Sequence, residues 1–217
     1  MLAYRAQPNP DAVLDRALAG VIASGGSLGD SQPRQVEFFS PNAQIYAQGD
    51  RATALYQVEY GVIRLFRLLS DGRRQICAFH VAGEVFGFEA DGQHHLFAEA
   101  VCDAAVRVFK RPIREDKSLL TLVMRELVRA QEHLLVIGRQ TACERIAAFM
   151  IDLYERLGHE QHFELAMSRT DIADYLGLTI ETVSRVFSKF RSKGYIKLHG
   201  TRGVDFLQID ALRSICA

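Results

Sequence analysis

Met167 to Gly194 reads MSRTDIADYLGLTIETVSRVFSKFRSKG, and the reading of this stretch decides the fold. Ser168 followed by Asp171 has the S/T-x-x-D form of a helix start, because a side-chain oxygen there can accept from backbone N–H groups that the first turn leaves unpaired. A helix is therefore predicted from about Arg169. Ile172, Ala173 and Leu176 share one face of it, and Gly177 stands where the chain must leave through a left-handed conformation that glycine adopts cheaply. Leu178 anchors the turn. Thr179 can cap a second helix, Ile180 to Lys193, which Gly194 closes.

The second helix divides by period. Val183, Val186, Phe187 and Phe190 recur at steps of three and four and form a stripe to bury against the first helix. Glu181, Ser184, Arg185 and Ser188 recur on the opposite face. There a carboxylate can accept from a cytosine amine, hydroxyls can bond several base edges, and a guanidinium can fork onto guanine, as major-groove recognition requires. A plain two-helix hairpin with a solvated face would share the period. Small Ala173, turn Gly177 and buried Val183 at the offsets of a helix-turn-helix favour the DNA-binding reading.

The TIETVSR core within SRTDIADYLGLTIETVSRVFSKF resembles the DNA-binding signature of the CRP/FNR superfamily of bacterial transcription regulators, in its FixK and FnrN-like branch. The resemblance implies that Glu181, Ser184 and Arg185 read bases, and that the half-sites are of TTGA type in an inverted repeat. Ile180 stands where the cyclic-AMP receptor branch has an arginine, which implies FNR-type operator choice. Phosphate contacts are expected from Ser168, Arg169, Thr170, Thr179, Thr182, Ser188 and Lys189 around the two helices. Beyond Gly194, YIKLHGTRGVDFLQI has the strand, turn and strand pattern of a wing, with Lys197, His199 and Arg202 at its tip, also within reach of phosphates.

The chain of 217 residues is 48% hydrophobic with a formal net charge of zero, enough for a substantial core and two domains, with no overall basic bias. Charge is local instead. From Met167 to Arg202 seven basic residues (Arg169, Arg185, Lys189, Arg191, Lys193, Lys197, Arg202) face three acidic ones (Asp171, Asp174, Glu181), a balance of +4 that suits phosphate contact. The N-terminus MLAYRAQPNP lacks the order of a signal peptide and no long apolar run occurs, so a cytoplasmic protein without a membrane partner is expected. Cys77, Cys102, Cys143 and Cys216 lack the close spacing of zinc or iron–sulfur ligands and read as reduced, packed thiols.

Asp11 to Ile22 reads as a short amphipathic helix, followed by a Gly/Ser-rich loop, Ser24 to Gly29. From about Val36 to Lys110 the pattern changes to short strands, VEFF, QIYAQG, ALYQVEYGVIRLFRLL, RRQICAFHV and LFAEAVCDAAVRVFK, punctuated by turn residues. Such spacing predicts a β-sandwich or roll. Gly49 to Gly87 also resembles the cyclic-nucleotide-binding-type β-roll that is the sensor domain of the superfamily. Relatives that bind cyclic AMP hold its phosphate with a helix N-terminus and an Arg-Ser pair. Here the corresponding turn reads Gly87-Phe88-Glu89, and the paired positions fall near His95-Leu96. Without that cation no cyclic nucleotide is expected, and no early cysteine cluster offers an iron–sulfur site. His80, His94 and His95 are residue types that haem or a metal could use, but the adjacent pair in DGQHHLF reads as part of a solvated turn rather than as ligands. The expectation is no cofactor and no metal.

Pro112 opens the longest predicted helix, Ile113 to Gly138. Ile113, Leu120, Leu127 and Leu134 repeat every seven residues, with Val123, Ala130 and Ile137 three later, the seam of a coiled coil between two copies. Met124, Val128 and Leu135 lie beside the seam and are expected to pack on the roll. A helix with Ile146, Phe149, Met150, Leu153 and Leu157 follows, to support the helix-turn-helix. The predicted class is α+β: an N-terminal β-roll with the long dimerisation helix over residues 1–138, and a C-terminal winged helix-turn-helix over 139–217. No nucleophile–base set or phosphate loop suggests an enzyme. The resemblance implies a homodimeric activator that recruits RNA polymerase to double-stranded DNA, works without a cofactor, and controls microoxic or nitrogen-fixation genes. The alternative is a regulator gated by an unidentified small molecule in the roll.

Overall fold

In the computed structural model, which describes residues 35–110, 117–139 and 141–216, the apolar run from Ala54 to Leu69 divides at Gly61. β3 (Ala54–Tyr60) and β4 (Val62–Leu68) belong to different four-stranded sheets, and Gly61 is where the chain passes between them. Its φ is +85°, and a Cβ there would lie 2.6 Å from the carbonyl oxygen of Asp103, so both the backbone angle and the space require glycine.

The first sheet has the order β1 (Gln35–Phe39), β8 (Ala104–Lys110), β3 and β6 (Val85–Phe86). The second has β2 (Gln44–Tyr46), β7 (Phe97–Ala100), β4 and β5 (Arg74–Val81). Val58, Phe86, Ala104 and Val106 of the first sheet meet Tyr46, Ile63, Ala98 and Ala100 of the second in one buried cluster. Alanines where the sheets meet leave room for the rings of Tyr46 and Phe86, 6.1 Å apart. The expected roll is thus formed. Two of the five predicted runs each hold two strands, since the run from Leu96 divides into β7 and β8 as that from Ala54 divides into β3 and β4, and the two-residue β6 went unread, being too short for an alternating pattern.

α1 (Lys117–Ile137) follows the roll. α2 (Ala142–Arg156) starts at Thr141, whose hydroxyl accepts from Glu144 N at 3.2 Å, and it buries Ile146, Ala147, Phe149, Met150 and Leu153. The helix-turn-helix is α3 (Arg169–Leu176) and α4 (Ile180–Ser192), within a residue of the predicted bounds. The wing is a three-stranded antiparallel sheet ordered β10 (Ile196–His199), β11 (Gly203–Phe206) and β9 (His162–Glu164), one strand more than expected. A C-terminal helix, α5 (Ile209–Cys216), also went unread in the sequence, where its eight residues offer barely two turns of periodicity.

The described residues group into two compact units. One runs to Arg67 and resumes over Ala78–Ala130; the other comprises Leu68–Cys77 and the residues from Gln131 onward. The division falls inside α1. No helix of the described residues is long and apolar enough to cross a membrane. The helix predicted over Asp11–Ile22, the loop Ser24–Gly29 and the seam residue Ile113 lie outside the described residues.

Candidate nucleic-acid interface

The start of α3 carries a complete capping box. Ser168 Oγ accepts from Asp171 N at 3.0 Å, and Asp171 Oδ2 accepts from Ser168 N at 3.0 Å, so two otherwise unpaired donors are satisfied reciprocally. Asp171 is buried and shares its other oxygen, accepting from Arg74 Nη2 at 2.6 Å within the second unit. Arg74 also reaches Asp174 at 2.8 Å. The sequence showed Asp171 as a cap but gave no sign of Arg74, which lies about a hundred residues away and has no motif around it.

Gly177 closes α3 in the left-handed region, at φ +63°, and its N–H bonds to Ala173 O. Thr179 caps α4, accepting from Thr182 N. Val183, Val186, Phe187 and Phe190 are all buried, each worth about 1.5–3 kcal/mol against exposure, and this fixes the rotation of α4 about its axis. The consequence is on the other side. Glu181, Ser184, Arg185 and Ser188 are exposed together on one face.

That face is electrostatically prepared. The Glu181 carboxyl is held below the usual carboxylate range by its own backbone N–H, by the Thr179 hydroxyl and by the Arg185 guanidinium. It is therefore ionised and an acceptor at neutral pH, as contact with a base amine needs. Arg185 lies against Thr182, Nη2 to Oγ1 being 3.5 Å.

The other expected contacts fall into two sets. Ser168, Thr170, Thr179, Lys189, Lys197, His199 and Arg202 are exposed, and Thr182 is half-buried. Lys189 Nζ lies 3.6 Å from the Cys143 sulfur. Arg169 differs: its guanidinium lies over the Phe187 ring and is largely withdrawn from water, which lowers its pKa to about 10. His199 Nε2 donates to Asp205 Oδ2 at 2.6 Å, so its ring is oriented by a carboxylate on the neighbouring strand.

α1 presents a broad apolar face to solvent in the single chain. Leu120, Val123, Leu127, Ala130 and Leu134 are exposed and Ile137 is half-buried. Met124, Val128 and Leu135, expected against the roll, are exposed as well. The roll is met instead by Leu122, which packs with Leu55, Val85 and Phe109, and by Arg129, whose Nη2 pairs with Glu84 at 2.8 Å. The seven-residue repeat does not by itself show which side of the helix turns inward; the polar residues Glu126 and Arg129, in phase with Leu122, mark that side.

In the roll, the turn that the resemblance implied for phosphate binding, from Gly87-Phe88-Glu89 to His95, is acidic. Glu89 and Asp91 stand with His95, whose Nε2 is 2.9 Å from Asp91 Oδ2. Of the histidine pair expected in a solvated turn only His95 is exposed; His94 is buried and stacks on Tyr46 at 3.6 Å between ring centroids, because alternate residues here turn to opposite sides. A phosphodiester would meet carboxylates here, so the groups present do not fit a cyclic nucleotide.

With this geometry in place, comparisons with known proteins converge. Residues 144–215 match the Crp-like helix-turn-helix domain family, and residues 36–116 match the cyclic nucleotide-binding domain family. The nitrogen fixation regulation protein FixK of Rhizobium meliloti is 52% identical over 188 residues, covering 86% of this chain and 89% of that protein. The protein of the same name in Bradyrhizobium diazoefficiens is 41% identical over 193 residues, covering 82% and 81%. Among solved structures, that of FixK2 from Bradyrhizobium japonicum aligns with a TM-score of 0.80 at 38% identity, covering 85% of this chain and 98% of that one.

Proposed function

Because this chain belongs to the CRP/FNR family of DNA-binding transcription regulators, in its FixK branch, we propose that it acts as a cytoplasmic homodimer reading an inverted repeat of TTGA-type half-sites. The observation that carries this reading is the division of α4, with Val183, Val186, Phe187 and Phe190 buried while Glu181, Ser184 and Arg185 stand exposed side by side. Glu181 and Arg185 discriminate bases by accepting from an exocyclic amine and forking onto guanine, and Ser184 adds a hydroxyl between them. The hydroxyls around the two helices and the cations of the wing hold phosphates and set register.

Dimerisation is supported by the apolar face of α1, where Leu134 is 68% and Leu127 48% exposed in the single chain. A second copy is the partner that a heptad seam fits, and a two-fold dimer would bring two recognition helices to successive major grooves about 34 Å apart. As a regulator of the FixK type the dimer would activate genes of microoxic respiration and nitrogen fixation by recruiting RNA polymerase.

The DNA-binding arrangement is proposed to be populated without a cofactor, so that no ligand has to supply the differential binding energy for reaching it. The acidic character of Glu89 and Asp91 at the position of the phosphate cassette supports this. The test is operator affinity of purified, chelator-treated protein. Tight binding to a TTGA inverted repeat, unaltered by cell extract, is expected. Binding that appears only after cyclic AMP, haem, an iron–sulfur cluster or extract is added would replace this reading by the ligand-gated one.

A further inference from the structure

The outer face of the wing sheet gathers two imidazoles and a carboxylate from three strands. In the register of the sheet Asp205 stands opposite His162, and His199 stands opposite Gly203, two residues before Asp205 on β11. Residues two apart on a strand share a face, so His162, Asp205 and His199 project together while Phe163, Val204 and Phe206 turn into the core. The three do converge. His162 Nδ1 is hydrogen-bonded to Asp205 Oδ1, His199 Nε2 lies 2.6 Å from Asp205 Oδ2, and one ligating atom from each residue falls within 4.8 Å of the others. Gly203 makes the approach possible, since a Cβ there would lie 2.9 Å from the Cβ of His199.

We propose that His162, His199 and Asp205 form a binding site for a divalent transition-metal ion of the zinc type on the wing. Two imidazoles and one carboxylate are a three-ligand set that such ions take in tetrahedral geometry, with metal–ligand bonds of about 2.0–2.2 Å and a fourth position left for water or another oxygen ligand. Ligating atoms around such an ion stand roughly 3.3 Å apart by the same geometry. The histidine–carboxylate contacts need to open by less than about 1 Å, and the two imidazole nitrogens, within 4.8 Å of each other, to close by up to about 1.5 Å, which surface side chains do by small rotations. Imidazole nitrogen selects zinc, nickel or copper over magnesium and calcium, which favour all-oxygen sites. Glu164 and Lys197 flank the trio on the same face, one carboxylate and one ammonium, so they nearly cancel. Asp205 supplies the anionic ligand, the ion taking the place of the imidazole N–H groups that now face its two oxygens. A bound ion would add two positive charges beside Lys197 and Arg202. Its effect on DNA rests on the proposed phosphate contact of the wing; the binding of the ion does not.

The probe is the metal alone, on untagged, chelator-treated full-length protein. Zinc titrated calorimetrically and cobalt(II) followed by its visible absorption should show one histidine- and carboxylate-ligated ion per chain at this site, without the charge-transfer band of thiolate ligation. Removal of a ligand should weaken it at least as much as loss of a ligand's orienting partner, roughly 10–100-fold. H162A and D205N should therefore lose the cobalt spectrum. H95A, which disrupts the separate cluster of Glu89, Asp91 and His95, should keep it. H162A affects no proposed DNA contact and should bind operator like the unaltered protein in chelator. No ion bound, unchanged metal affinity in H162A, or loss of the spectrum in H95A alone would overturn the site. An ion bound in the expected way that leaves DNA affinity unchanged upholds the site and removes the wing from the phosphate-contacting surface.

Discussion

The guanidinium carbon of Arg169 lies 3.5 Å from the centroid of the Phe187 ring, one residue at the start of α3 and the other buried in the middle of α4. The contact covers the apolar seam between the two helices of the DNA-binding motif with a cation that stays charged, its pKa lowered by burial only to about 10. Arg169→Ala is expected to destabilise the protein by about 1–2 kcal/mol through lost cation–π attraction and lost packing, and Arg169→Met to recover the packing part. Urea unfolding followed by circular dichroism measures this. Unaltered stability in Arg169→Ala would mean that the residue serves DNA alone.

Arg185 is expected to be a reader rather than an anchor. Its replacement by alanine should weaken the specific complex by about 1–3 kcal/mol and relax preference at one base pair of each half-site. Competition with single-base operator variants separates this from a phosphate role, for which specific and scrambled DNA would lose affinity equally. Glu181→Ala should relax a different base pair, since its ionised carboxylate accepts where Arg185 donates.

The DNA-binding motif was legible because its signals are local. A cap at Ser168, a left-handed glycine at Gly177 and the period of Val183, Val186, Phe187 and Phe190 all act within a few residues, and α3 and α4 stand where these signals put them. What was missed is long-range. Arg74 meets Asp171 and Asp174 across about a hundred residues, and His162 meets Asp205 only because β9 pairs with β11. A strand of three residues has no period to read. The placement of Met124, Val128 and Leu135 failed for another reason: hydrophobicity says that a face needs cover, while the direction in which it finds cover depends on Leu122 and on the ion pair of Arg129 with Glu84.

The apolar face of α1 yields a prediction about assembly. Leu127 lies near the centre of the proposed seam, so Leu127→Asp would bury an unpaired carboxylate twice in each dimer. Because the side chain is 48% exposed in the single chain, the same change should cost the isolated fold little. Sedimentation should therefore find a folded monomer, with operator affinity lost because one recognition helix reads too few bases to compete with other DNA. A dimer that survives the change would place the interface on another surface.

His133 supplies a prediction about pH. Its ring stacks on Tyr175 with centroids 3.9 Å apart, its Nδ1 is buried without a hydrogen bond, and desolvation lowers its pKa to about 4, against a small opposing pull from Asp152. The unfolded chain, with a histidine pKa near 6.5, takes up the proton first as pH falls. Stability contributed by the neutral ring is thus complete above about pH 6.5, declines between about pH 6.5 and 4, and falls no further on this account below that window. After allowance for the solvent that reaches the half-buried ring, the loss is about 1–2 kcal/mol. His133→Phe keeps an aromatic ring against Tyr175 and removes the proton site. At fixed protein concentration, the difference in unfolding free energy between pH 7.5 and pH 5 should accordingly be smaller in His133→Phe than in the unaltered protein. Equal pH dependence in the two would show that His133 is protonated in the folded state over the same range as in the unfolded one, and that its packing against Tyr175 does not exclude the charge.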